Sequence, residues 1–208
     1  MRSTISILLL TAIAAGILSS ACKSSGRDGS GGLFGPKDET QEAAKLVAEA
    51  NQELTKIKKL YNENEGDEEK PGKRQQLKKA LEANDAEQVK KISDDVVYLI
   101  NDGMDYARAA IEKLQKAQDL NINQDYKEYL RLKELALSKQ VEAFEQYRQA
   151  ARSLRDNYDP KNDKLRAKVK EEFEQRSDNY RALMEKARDY SSQANELARE
   201  AIRRSVQQ

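Results

Sequence analysis

The sequence predicts an all-α protein: an elongated, antiparallel (up-down-up-down) bundle of about four long helices with coiled-coil-like packing. Three observations lead there. From Asp38 onward apolar residues return at alternating steps of three and four, which is the helical period and not the two-residue period of strands. Helix breakers gather in a few short polar stretches, and short connections between long helices make neighbours antiparallel. Charged residues make up 35% of the chain and aromatic ones 6%, so the core is expected to be thin and long rather than thick.

The first helical stretch carries Ala43, Val47, Ala50, Leu54, Ile57 and Tyr61 on one stripe. Asp38 and Gln41 have the spacing of a capping box just after Pro36, and the helix should run to about Asn64. It stops in NENEGDEEKPGK, where Gly66, Pro71 and Gly72 interrupt the pattern.

A longer stretch follows over about 73–119, with a stripe that includes Val89, Ile92, Val96, Leu99, Gly103 and Leu114. Ala83-Asn84-Asp85-Ala86-Glu87 holds a possible stop and restart, since Asn84 can cap the end of one helix and open the next, with Glu87 completing a box. Asn121-Ile122-Asn123 then reverses the chain. The next helix is expected over 124–157, on Leu130, Leu137, Val141, Phe144, Tyr147 and Leu154.

Asp159-Pro160 reads as a cap followed by proline at the first helical position, where its missing N–H does no harm. The last helix carries a long stripe from Leu165 through Val169, Phe173, Tyr180 and Leu197 to Ala201, with Arg176 set into it. At 1.5 Å per residue the 124–157 helix is about 18 Å shorter than its neighbours. The turn around 64–84 is therefore expected to project past one end of the bundle and the carboxyl end of the last helix past the other. A bend at Asn84 would fold the first overhang back.

Upstream of this domain, residues 1–22 carry one basic residue (Arg2), an apolar run from Ile5 to Leu18, and the triplet Ser19-Ser20-Ala21 before Cys22, the chain's only cysteine. These are the three zones of a secretory signal. The run would be roughly 21 Å long as a helix, and a bilayer core takes about 20 apolar residues, so the segment is short for a permanent span. It resembles a bacterial lipoprotein signal, with small residues at the three positions before the cysteine and the leucine, Leu18, one place further upstream than usual. The resemblance implies removal of residues 1–21, lipidation of the Cys22 thiol and acylation of the new amine. With Lys23 rather than aspartate after the cysteine, it also implies the periplasmic face of the outer membrane. Two or three acyl chains would hold firmly where one would not.

Three regions follow: the signal at 1–21, the lipidated Cys22 with a linker to residue 37, and one helical domain over 38–208. The linker holds Gly26, Gly29, Gly31, Gly32 and Gly35 and predicts a flexible coil with a reach of roughly 20 Å. Leu33 and Phe34 interrupt it. They could dip into lipid, dock on the domain, or do neither.

Composition then excludes several chemistries. Loss of Arg2 with the signal brings 37 basic and 36 acidic side chains into balance, and a nucleic-acid partner would need a basic surplus. The chain has no histidine, so di-iron sites of the Glu-x-x-His type and histidine-ligated haem are impossible. The acidic loop Glu63, Glu65, Asp67, Glu68, Glu69 offers oxygen ligands, but its spacing does not fit the twelve-residue calcium loop. No metal and no cofactor are expected. Carboxylate pairs such as Asp102 and Asp105 share a helix face without any spacing that sets them apart, so no catalytic residue is assigned and the protein is read as non-enzymatic.

Three features carry alternatives. Tyr106, Tyr147, Tyr180 and Tyr190 lie on or beside the stripes, and Tyr126 and Tyr129 near one end; they could line a groove or simply fill the core. Gly103 could admit a neighbouring helix, leave room for a ring such as Tyr180, or be a tolerated imperfection. Arg176 could meet a buried carboxylate or mark a wet end of the core. The expectation is a membrane-anchored periplasmic lipoprotein, held through Cys22, that works as a non-catalytic scaffold for a protein partner in the cell envelope. Its alternatives are a binder of lipid or another hydrophobic ligand near Gly103, and a chaperone-like binder of unfolded envelope proteins. Oligomeric state stays open, because one seam serves intramolecular and intermolecular coils alike.

Overall fold

The computed structural model describes residues 38–66 and 70–206. The expected signal, Cys22 and the linker lie outside the described residues. The described chain is helical, with five α-helices and, beyond them, an isolated bridge between Gly66 and Pro71. None of these helices is long and apolar enough to cross a membrane.

Helix α1 spans Thr40–Glu65 and buries Ala43, Val47, Ala50 and Ile57, four of the six residues on its anticipated stripe. Its start differs from the anticipated capping box. Asp38 Oδ1 accepts from the Thr40 backbone N–H at 3.0 Å and from its hydroxyl at 2.7 Å, and Gln41 takes no part. A two-residue turn satisfies the carboxylate more cheaply than a reach into the helix.

The stretch 73–119 is two helices, α2 (Lys73–Glu82) and α3 (Ala86–Asp119). Asn84 adopts φ 54°, the left-handed conformation that ends helices. Its N–H donates to Leu81 O at 3.3 Å and the Asp85 N–H donates to Ala80 O at 3.0 Å, which closes α2 in a Schellman motif. The restart lies one residue later than the sequence suggested. Asp85 is the N-cap of α3 and accepts from Gln88 N at 3.0 Å, so Asn84 closes one helix and does not open the next.

Helix α4 spans Gln124–Asn157, with the anticipated boundaries, and Asn123 caps it by accepting from Tyr126 N at 2.8 Å. Helix α5 spans Asp163–Val206. Here Asp159-Pro160 is not the start: Asp159 Oδ1 turns back to the Lys161 N–H, and Asn162 caps the helix by accepting from Leu165 N at 3.1 Å. Asparagine has the geometry to cap, and the turn residues before it are better satisfied outside the helix.

Helix α3 is the hub. It packs against α1, α2 and α4, whereas α5 packs on α4. Polar pairs fix each register: Lys113–Glu53 between α3 and α1 at 3.2 Å, Lys73–Asp95 between α2 and α3 at 2.6 Å, and Arg155–Asp94 between α4 and α3 at 3.0 Å. Along α4 and α5 the partners run in opposite numerical order, from Ser153–Glu172 at 2.8 Å through Lys133–Asn195 at 2.9 Å to Asp125–Arg204 at 2.8 Å. The last pair corrects one expectation. The carboxyl end of α5 lies beside the start of α4 and does not project beyond it. The other overhang is folded back, since α2 lies on α3 with Leu77 and Ala80 buried.

The core is in two clusters. One joins α2, α3, α4 and α5 around Leu77, Val89, Val96, Leu154 and Val169; the other joins α1, α3 and α4 around Val47, Leu114, Leu130 and Leu137. Many fully buried positions are alanine, among them Ala43, Ala110, Ala143 and Ala194, which lets helices approach closely and keeps the core thin. Helices α1 and α5 are not in direct backbone contact.

Candidate functional site

Where α1 and α5 face each other without packing, a cleft of about 660 Å³ opens at the level of Gly103. Ile57, Leu60 and Tyr61 of α1 form one wall and Phe173, Ser177 and Tyr180 of α5 the other. Leu99, Ile100 and Gly103 of α3, with Phe144 and Tyr147 of α4, make the floor. The cleft exists because α1 packs on α3 and α5 on α4, with no contact between α1 and α5 to close the space between them.

Gly103 takes the part of floor. A Cβ built there would meet only Leu60 Cδ1, at 3.8 Å, so neither a neighbouring backbone nor the Tyr180 ring fills the space. The room is left open to the cleft.

Of the tyrosines singled out in the sequence, Tyr147 and Tyr180 come together here. Their ring centroids are 5.8 Å apart, and Phe173 meets Tyr147 edge-on at 6.5 Å. Tyr106 is elsewhere, under the Lys56 ammonium at 4.9 Å, and Tyr126 stacks on Tyr129 at the far end, centroids 6.2 Å apart. Burial pushes the phenols of Tyr61, Tyr147 and Tyr180 up, so they stay protonated at neutral pH and offer ring faces rather than bases. The Tyr147 hydroxyl and Asn64 Oδ1, both in the lining, are shielded from solvent, and the Asn64 side chain acts on the Tyr147 phenol.

The lip is charged. Helix α2 is brought to it by the turn at Gly66, whose φ is 76°, and by Gly72, where any Cβ would run into the backbone of Asn64, Glu65 and Gly66. That approach places Arg74 on Glu65, with Nη1 3.2 Å from Oε2. Arg181 is engaged by Asp178 on its own helix at 2.8 Å. Arg188 completes the lip and forms no ion pair among the described residues; its charge is felt at the Tyr61 phenol across the cleft.

The other sequence candidates stay outside. Arg176 meets the carboxylate of Glu172 at 2.9 Å and the side chain of Gln149, so it is an α4–α5 clasp. Asp102 and Asp105 are exposed on α3, and Asp105 is paired with Arg108 at 3.2 Å. Glu65, from the acidic loop, belongs to the cleft lip, while Asp67, Glu68 and Glu69 lie outside the described residues. Among the described residues no three acidic side chains gather as metal ligands. Cys22 is likewise outside.

Sequence reasoning missed two residues. Arg74 had no signal of its own, although the Pro71-Gly72 breaker marked the turn that delivers it. Lys133 had one: it follows Leu130 by three and precedes Leu137 by four, which is a stripe position. It is 4% exposed, donates to Asn195 Oδ1 at 2.9 Å and lies 5.5 Å over the Tyr129 ring. Burial lowers its ammonium to about 8. No family profile, no curated protein and no solved structure matches this chain.

Proposed function

We propose that this protein is a lipid-anchored component of the bacterial cell envelope, tethered through Cys22 at the periplasmic face of the outer membrane, whose helical domain is a non-catalytic scaffold carrying a ligand-binding cleft. We read the domain as an antiparallel bundle of four long helices, α1, α3, α4 and α5, with α2 as a folded-back flap. The opposed order of the α4–α5 pairs supports that reading.

The observation that carries the binding function is the cleft at Gly103, apolar at its floor and charged at its lip. Such a shape, a concave apolar surface with a few polar groups at one side, is that of a small-molecule site. It favours the hydrophobic-ligand alternative over a chaperone, which would present exposed apolar residues on a concave face; among the described residues Tyr98 is the one large hydrophobic that stands out in solvent. From Thr40 to Ile57 helix α1 rises about 26 Å, so the cleft would stand well away from the base of the tether.

Native mass spectrometry of the full chain released from envelopes tests the cleft. Wild type is expected to carry a bound mass that Gly103→Leu sheds. Metabolic labelling with a clickable fatty acid tests the anchor, and Cys22→Ser should abolish it; labelling that persists in that variant, or a wild type that never labels, removes the lipoprotein reading.

A further inference from the structure

We infer that the cleft takes a single-chain amphiphile with one negative charge, a long-chain carboxylate, with the chain laid over Gly103 and the carboxylate on Arg188. The inference rests on the cleft being a binding site and adds what binds there.

Shape argues for one chain. The cleft follows α5 from Phe173 to Arg188, about 22 Å at the helical rise. A carbon chain with bonds of about 1.5 Å advances roughly 1.25 Å per methylene once its zigzag is allowed for, so a chain of about sixteen to eighteen carbons matches that length. The volume of about 660 Å³ lies within the range of small-molecule sites. Ile57, Leu60, Leu99, Ile100, Phe144 and Phe173 give such a chain apolar surface, and each methylene moved there from water contributes.

Charge argues for one anion. Three guanidinium groups and two carboxylates line the cleft. Arg74 is committed to Glu65 and Arg181 to Asp178, which leaves Arg188 as the lining guanidinium without an ion pair among the described residues. Arg188 and Glu185, one turn apart on α5, are the lining charges without an ion pair among the described residues, and a single carboxylate can meet Arg188 by a charge-assisted, bidentate pair while adding only one negative charge beside Glu185. A phosphate dianion would leave a charge unmatched beside Glu65 and Glu185.

The occupant is not the apolar pair of the linker. From Phe34 to Asp38 is four residues, at most about 14 Å of extended chain, and the cleft begins about 26 Å along α1.

The test uses washed envelopes carrying the full-length protein, without ATP or coenzyme A, so that no probe is activated for transfer. Three photoreactive sixteen-carbon probes differ only in the head: carboxylate, alcohol and amine. Adduct sites are read by peptide mass spectrometry. The carboxylate is expected to label the walls from α3, α4 and α5. Gly103→Leu should cut that labelling at least fivefold, while Gly103→Ala, which adds a Cβ at ordinary contact distance, should keep it and report that the helix tolerates a side chain there. Arg188→Glu should cut carboxylate labelling about tenfold and leave the alcohol unchanged. Equal labelling by acid and alcohol, or preference for the amine, overturns the carboxylate and leaves the cleft reading standing. Labelling outside the cleft, or none, overturns the proposal, and the bound mass shed by Gly103→Leu then judges the cleft by itself.

Discussion

Glu39 and Asn121 are joined twice: the Glu39 N–H donates to Asn121 O at 3.1 Å, and the Asn121 N–H donates to Glu39 Oε2 at 2.8 Å. The two residues are 82 positions apart, and the pair pins the start of α1 to the α3–α4 turn. It therefore holds the domain closed at the amino end of α1.

Glu39→Ala should release one of these bonds and leave the Asn121 amide without its carboxylate. The expected cost is about 1–2 kcal/mol, as for a hydrogen bond to a charged group. Hydrogen exchange should quicken in the first two turns of α1 and not in the middle of α4. Unchanged exchange at Ala43 and Ala44 would show that α1 is held by its buried stripe alone.

Gly72→Ala should destabilise by about 2–3 kcal/mol, since the new methyl meets backbone that cannot swing away. The urea midpoint reads the cost. The same variant should loosen α2 from α1 and separate Arg74 from Glu65. A midpoint within error of wild type would mean that α2 is held by Leu77 and Ala80 rather than by the turn.

Ser93 is fully buried on α3, next in sequence to the buried Ile92, and its hydroxyl has no partner. An unsatisfied buried hydroxyl costs roughly 1–3 kcal/mol, so Ser93→Ala should raise stability by about 1 kcal/mol once the small void is counted. A fall in the thermal midpoint would point to a hydrogen bond made by that hydroxyl in solution.

Lys133 predicts a pH dependence. Its ammonium is lowered by burial to about 8 in the folded chain, against 10.5 when exposed. Between those values the unfolded chain holds a proton that the folded chain has released, so stability rises with pH from about 8 towards 10.5, by up to about 3 kcal/mol. Tyr129, pushed up to about 12 by burial, gives the opposite slope once unfolded tyrosines ionise above about 10, so the clean window is pH 8–10. Urea midpoints of wild type and Lys133→Met across that window check the claim: the variant should be more stable at pH 7 and lose the slope. Parallel slopes would exclude Lys133 as the titrating group.

Much of this was legible in the chain. Period gave α4 its ends at 124 and 157, and the Asn84 break was visible because asparagine tolerates the left-handed turn that a helix end needs. The Asn84 reading was half right, since Asn84 closes α2 while Asp85 opens α3. The start assignments failed at Asp38 and Asp159, where a polar side chain has several backbone donors within two or three residues and the one it takes depends on where the whole helix settles.

Residue spacing alone was enough to show that the chain folds as helices, roughly where each begins and ends, and which face of each is apolar, because those properties are local to one segment. Packing between helices settled that α3 is the hub, that α1 and α5 stand apart over Gly103, and that Arg74 and Arg188 line the same cleft. A stripe records that a helix has something to bury but not which neighbour will cover it, and that choice is made by side-chain shape across segments far apart in the chain.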